Sequence, residues 1–375
     1  IDLDFIKQYD DFATRRIPPV EIVNNSTSST KDKKTFKEKN DKNEESKPLF
    51  FKNKTKNNNV YNRKPNKKKS NGFKGAIVGV VAVLALLHFR FSNLDFDAKQ
   101  SAFTLFGIFC IFMVGPHLAS ISTPIVKFVI NFISIMAIVI LSCHNVVLSN
   151  QSILVLSYLL LYGYQVDNIN VYISRVCGLA LGGIIVAGVF YIKQRKVKFE
   201  NKLSDVIKDV NFNNDRTKWQ LKLTLAICSA LLIGDLLNLP RTMWIGFACM
   251  SIVQPYKDRM DTRCKERVPF AVVGCIMYCI LYFILPKNFT SLIGMLGGIM
   301  VGFSATYKWQ TVFNTFGGLN SAVSILGLEV AIIFRIVNNV FGAIYGRLFS
   351  KIFDKVEEKI TNRSIIEEMT TSDEL

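Results

Sequence analysis

The strongest constraint on this chain is that its apolar residues come in long blocks. Stretches of about 17 to 25 mostly apolar residues recur between residues 75 and 352, and a helix needs about 20 such residues to cross the hydrocarbon of a bilayer. A peptide group left unpaired in lipid costs several kcal/mol, so blocks like these must fold as helices, which satisfy their backbone internally. Half of the 375 residues are hydrophobic and only 20% are charged, which excludes a disordered chain and disfavours an ordinary soluble enzyme. The expected fold class is all-α, a polytopic transmembrane helical bundle of two tandem repeats. Predicted spans are 75–91, 101–119, 125–143, 147–165 and 169–192, then 219–239, 242–255, 268–286, 290–306, about 309–327 and 329–352. That makes ten or eleven helices, some short enough to be re-entrant or tilted.

Charge divides the chain further. The formal net charge is +17, and residues 24–72 hold 15 Lys and Arg against five acids. Such an Asn/Lys-rich tract reads as a disordered tail beside an anionic lipid surface; with few aromatics in it, no nucleic acid is expected as a partner. The organisation read this way is a basic tail over 1–72, a first transmembrane repeat over 73–192, a linker over 193–218, a second repeat over 219–353 and a C-terminal tail over 354–375. Basic residues also crowd 193–218 (eight against four acids), 257–267 (five against three) and the stretch from Arg347 to Arg363 (five). Lys and Arg gather on the cytoplasmic side of membrane spans. All four basic segments, the N-terminus included, are therefore expected to be cytoplasmic in a multi-pass protein of the cell membrane. Loop 144–150 has no charge and reads as external. Five spans before residue 193 conflict with this scheme, so either 101–165 hides an additional crossing or one segment there does not cross.

Chemistry-bearing motifs are scarce. The eight cysteines lie in or beside apolar runs with no CxxC, and there are three histidines, so neither a metal nor a cofactor is expected. No Ser/His/Asp spacing, phosphate-binding loop or HExxH occurs, which argues against an enzyme. The three Trp each stand beside a cation, as Lys218-Trp219, Arg241 with Trp244, and Lys308-Trp309, and read as headgroup anchors.

An internal repeat is the most informative pattern. Arg175 to Ile184 and Arg335 to Ile344 share R-[VI]-x5-G-[GA]-I at a shift of 160, and Pro116 with Thr123 matches Pro255 with Thr262 at a shift of 139. Arg175, Arg267 and Arg335 are each followed seven positions later by Gly182, Gly274 and Gly342. Seven residues is nearly two turns, so Arg and Gly share a helix face, where Gly permits close helix approach and Arg sets a charge against the seam. These arginines either snorkel to the interface or meet a substrate. Arg259, Arg263 and Arg267 recur every fourth residue after Pro255, a cationic stripe that would attract an organic anion or simply follow the charge bias of cytoplasmic loops. Glu329 and Asp235 are the acids nearest the apolar cores, and Glu329 is the candidate for proton coupling, since burial raises a carboxyl pKa.

The segment from Thr242 to Tyr282, with Gln254-Pro255, the Arg-spaced loop and a Gly-bearing span, resembles the FUSC group of fusaric acid resistance and aromatic acid exporter proteins. The run Tyr307 to Phe313 and the stretch Arg335 to Gly342 resemble that family's closing helices. The resemblance covers about 73–353 and is strongest over 219–353. It implies two six-helix halves and efflux of aromatic or other organic acids, with relatives that resemble plant anion channels. Gln254, Pro255, Arg263, Arg267 and Gly274 fit the family's signature loop and span, and Arg335 and Gly342 its last helix. The chain departs from the family with Val268-Pro269 where a Gly-Thr pair often stands, and with only 193–218 between the halves.

The functional expectation is export of small organic anions, aromatic ones included, with or without proton exchange. Arg263, Arg267, Arg335, Arg175 and Arg259 meet the anion in this reading, while Gln254, Pro255, Gly274, Gly182 and Gly342 serve as packing or hinge positions. Two alternatives stay open, an anion channel on the same scaffold and a non-transporting scaffold whose basic tail recruits partners or anionic lipid. Homo-oligomerisation is left open as well.

Overall fold

The computed structural model describes residues 67–373 apart from 167 and 287–288, and of 67–76 and 361–373 it describes the backbone alone. The basic tract before Lys67 lies outside the described residues. Twelve helices follow. In the first half they are α1 (Lys67–Phe89), α2 (Ala98–Ile121), α3 (Pro124–Ser142), α4 (Gln151–Gly163) and α5 (Ile169–Gln194), then the short α6 (Leu203–Lys208). In the second half they are α7 (Asp215–Leu236), α8 (Met243–Ile252), α9 (Lys257–Ile284), α10 (Thr290–Phe303), α11 (Tyr307–Leu326) and α12 (Leu328–Asp373). Among the described residues there is no strand. Six of these helices are long and apolar enough to cross a membrane, so the chain is a polytopic helical bundle.

Local signals set the helix ends. Asp97 caps α2 by accepting from the amides of Lys99 and Gln100 at 3.0 Å, supplying acceptors that the first turn cannot find in its own helix. Pro124 opens α3, where its missing N–H costs nothing. Asn238 and Arg241 adopt left-handed φ of 52° and 60° and reverse the chain between α7 and α8.

The side-chain pairings give the direction of each helix. Val78 meets Gly178, Ala82 meets Gly182 and Phe89 meets Phe190, so α1 and α5 run parallel. Gln220 reaches the carbonyl of Cys143 while Asp235 reaches Lys127, so α3 and α7 are antiparallel. Lys218 and Lys222 pair with Glu357 and Asp354, so α12 returns against α7. The loops 90–97, 143–150, 195–214 and 253–256, and the far part of α12, therefore share one end, which carries three of the four basic segments.

Two orientation expectations change. Loop 144–150 lies at this basic end, not opposite it, because Arg216 NH1 approaches His144 Nδ1 at 3.0 Å. The loop lacks charge because it is packed rather than exposed. Asn150 is fully buried, donates to the carbonyls of Ser142 and Asn93, and accepts from Ser92. The other change concerns α1, which starts at Lys67, inside the stretch assigned to the tail, and at the end opposite 193–218. The five-span conflict is thus a property of the fold: α1, α2 and α3 alternate, the partial α4 turns back, and α5 runs parallel to α1, so Lys67 and the linker lie at opposite ends.

Among the apolar helices described, α4, α8 and the 14-residue α10 are too short to span, and two of them bear on the site. At 13 and 10 residues, α4 and α8 reach about 20 and 15 Å against a hydrocarbon thickness near 30 Å. All ten residues of α8 are buried. α4 ends inside the bundle at Tyr164, which is 5% exposed. The Pro/Thr part of the sequence repeat falls on unlike places, since Pro116 is inside α2 while Pro255 lies between α8 and α9. The Arg/Gly part falls in two long helices, α5 and α12.

Candidate functional site

Three arginines lie within the bundle rather than at its surface. Relative exposure is 8% for Arg175, 4% for Arg267 and 2% for Arg335. Among the described residues none of the three pairs with a carboxylate, although seven other ion pairs occur. A buried guanidinium without a counter-charge is expensive unless hydrogen bonds or a ligand compensate it.

Arg335 of α12 stands with its guanidinium carbon 5.0 Å over the ring of Trp244 in α8. Its NH2 donates to the Asn314 carbonyl at 3.4 Å, while its buried Nε has no partner. The indole Nε1 of Trp244 and Oδ1 of Asn338 are also buried and unpaired. Gly318 of α11 makes room, since a Cβ there would lie 3.0 Å from Arg335 NH1. Arg267 of α9 donates from Nε to Asn339 Oδ1 at 3.0 Å and from NH1 to the Tyr307 hydroxyl at 3.4 Å. Asn339 in turn donates to the Arg335 carbonyl at 2.6 Å, so one asparagine joins the two arginine positions.

Arg175 belongs to the first half and is used differently. It donates to the carbonyls of Leu161 and Tyr164, acceptors left over at the end of α4, with its Nε unpaired. Tyr164 links this arginine to the second half. Its ring lies 4.8 Å from the Arg241 guanidinium, and its hydroxyl bonds Ser321 of α11. Arg241 holds a left-handed backbone and a buried, unpaired NH2.

The remaining expected site residues are distributed as follows. Arg263 is half-buried toward the basic end, 4.8 Å over the Tyr307 ring, with NH1 on the Ser251 carbonyl at 3.4 Å. Arg259 is half-buried above Tyr256 at 5.4 Å. Gln254, 6% exposed, caps α8 by donating to the carbonyls of Met250 and Ser251, and Pro255 separates α8 from α9. The three motif glycines are close-contact points: a Cβ would fall 2.5 Å from the Ile245 carbonyl at Gly342, 2.8 Å from the Val312 carbonyl at Gly274 and 3.0 Å from Ala82 Cβ at Gly182. Glu329 is exposed in the first turn of α12, six residues before Arg335.

Sequence reasoning missed Trp244, Arg241, Tyr164, Asn338 and Asn339. Trp244 is fully buried and Trp219 is 4% exposed, with its Nε1 donating to Val253 O, so neither anchors a headgroup. The expectation failed because α8 stops short and is sheathed by other helices. Trp309 is 47% exposed, as an anchor would be. The signal for the asparagines was present: an adjacent polar pair inside an otherwise apolar span.

Residues 227–349 match the family described as fusaric acid resistance protein-like. The chain is also 27% identical over 150 residues to "Uncharacterized protein ORF2" of Neisseria gonorrhoeae, a match covering 39% of this chain and 36% of that protein. The chain thus spans about a third of that relative's length. No solved structure matches it. Arg267, Arg335, Trp244 and both asparagines all fall inside the segment that matches this family.

Proposed function

We propose that this multi-pass membrane protein transports small organic anions, aromatic acids among them, outward across the cell membrane. The observation that carries the reading is the set of buried guanidinium groups with no carboxylate partner, of which Arg335 and Arg175 also keep an unpaired Nε. A carboxylate takes parallel N–H donors from a guanidinium, and such charge-assisted bonds are about twice as strong as neutral ones. In a low-dielectric bundle an incoming anion therefore compensates the charge that the protein leaves unbalanced.

Arg267 and Arg335 hold the anion in this account, with Trp244 Nε1 and Arg335 Nε as free donors. Arg241 and Arg175 extend the positive region into the first half. Arg263 and Arg259, at the basic end, draw the anion from the cytoplasm, the side that a Lys and Arg bias favours for that end. Pro255, beside the buried cap Gln254, lets α8 and α9 move relative to one another, and the close contacts at Gly182, Gly274 and Gly342 transmit the motion.

The test is accumulation of labelled aromatic acids in cells. Expression of the chain should lower accumulation, and Arg335→Gln or Arg267→Gln should abolish that effect at equal protein level. Unchanged efflux in both variants would overturn the assignment.

A further inference from the structure

One ion pair inside the bundle is not used by the guanidinium site. Lys127, near the start of α3, places Nζ 3.2 Å from Oδ2 of Asp235, near the end of α7, with both side chains 19% exposed. Tyr162 of α4 donates its hydroxyl to the same carboxylate oxygen. One turn back, Tyr158 donates to Asn131 Oδ1 of α3 at 2.8 Å. Around the Asp235 end of α7 the other helices present neutral groups, Thr242 and Ile245 against Gly234 and the Tyr345 hydroxyl on Ser229 Oγ at 2.8 Å, while the charged contacts of α12 with α7, Glu357 on Lys218 and Asp354 on Lys222, lie near its opposite end. Among the described residues Asp235 has no other charged partner.

An ion pair taken out of water adds little net stability, because desolvation offsets the attraction. An ionisable pair inside a membrane bundle is by default functional. This pair has a mechanical position. It ties a helix of the first half to a helix of the second, at the end opposite the basic one. It also holds the last turn of α4, since Tyr162 lies between Leu161 and Tyr164, whose carbonyls accept from Arg175. The same turn thus touches Asp235 on one side and the guanidinium region on the other.

We propose that Asp235 is the proton-binding carboxylate of the transport cycle, and that Lys127, Asp235 and Tyr162 form a latch that a proton opens. A proton from water at the non-basic end adds to the Asp235 carboxylate, giving a neutral acid. Lys127 keeps its own proton, and no electron moves. The ionic attraction between α3 and α7 is lost, and the α4 turn that carries the Arg175 acceptors and the Tyr164 ring is released with it. Coupling therefore sits at Asp235 rather than at the exposed Glu329. This inference rests on reading the bundle as an anion transporter.

The test uses the full chain in proteoliposomes with labelled benzene-1,4-dicarboxylate, a dianion that does not cross lipid unaided. Two rates are measured, probe-for-probe exchange at equal pH and accumulation driven by a pH gradient. For wild type, a gradient of one pH unit should drive up to about tenfold accumulation per coupled proton. Asp235→Asn should keep exchange near the wild-type rate and lose gradient-driven accumulation. Should that variant fail to fold with Lys127 left unpaired, the double variant Lys127→Gln/Asp235→Asn replaces the ion pair by an amide pair, with the same expected outcome. Gradient-driven accumulation that survives in either variant overturns the proposal. Wild type that exchanges the probe but ignores the gradient also overturns it, while leaving the anion reading intact. Wild type that moves no probe overturns both.

Discussion

Arg175 and Arg335 occupy the same motif in two halves of one chain and are treated differently by their surroundings. Arg175 serves a structural need: α4 ends inside the bundle, and the guanidinium donates from its two terminal nitrogens to two of its last carbonyls, its Nε staying unpaired. Arg335 has one long bond to a carbonyl, a tryptophan face and an unpaired Nε. On the proposed reading, the arginine with two bonds to backbone carbonyls is mainly a brace, and the one with a single long bond and a tryptophan face is the anion site. Sequence equivalence between repeats therefore does not carry over to equivalence of role.

The largest effect that would disturb this comparison comes from the seam next to Arg335. Gly342→Val drives a side chain into the Ile245 backbone, where a Cβ already falls at 2.5 Å. A backbone carbonyl cannot step aside, so destabilisation of about 3 kcal/mol or more is expected, read as lost thermal stability in detergent. Gly182→Ala, whose new Cβ would meet Ala82 Cβ at 3.0 Å, should be markedly milder.

Next come the two arginines themselves. Arg175→Gln should lower stability by about 2–3 kcal/mol through lost charge-assisted bonds, measured in the same unfolding assay. Arg335→Gln should leave stability unchanged or higher while removing anion transport. The reverse pattern would exchange the roles of brace and site.

How much of this was legible beforehand follows from periodicity. The helices α1 to α5 and α7 to α12 all correspond to apolar blocks, because a buried helix declares itself by length and composition alone. What a one-dimensional pattern cannot show is depth. Trp244 beside Arg241 looks like an interfacial anchor in the sequence, yet α8 is ten residues long and wholly buried, so the pair sits inside. Loop 144–150 looked external because it is uncharged, when it is uncharged because Asn150 and its partners pack it against the basic end. The arginine–glycine motifs were visible, but the partners that distinguish Arg175 from Arg335 come from other helices.

Smaller effects sharpen the picture. Trp244→Phe keeps a ring under Arg335 and removes an indole N–H that bonds nothing, so stability should fall by only about 1 kcal/mol from lost volume. Anion affinity should fall if that N–H is a ligand donor. At the basic end, burial first and the nearby Arg216 second hold His144 below its ordinary 6.5. A histidine held neutral by the fold stabilises it above the unfolded pKa, and that contribution is lost as pH falls through and below about 6.5. Stability should therefore decline on acidification below that point, and His144→Gln should flatten the decline.

The central claim, an anion at Arg267 and Arg335 against Trp244, is tested most directly by fluorescence. With Trp219 and Trp309 replaced by Phe, Trp244 is the single remaining tryptophan, and benzoate is titrated into the purified protein. The account predicts a saturable change in Trp244 emission that disappears in Arg335→Gln and Arg267→Gln and persists in Glu329→Gln. An emission change of equal size and midpoint in the arginine variants, or no saturable change in the parent, would contradict it.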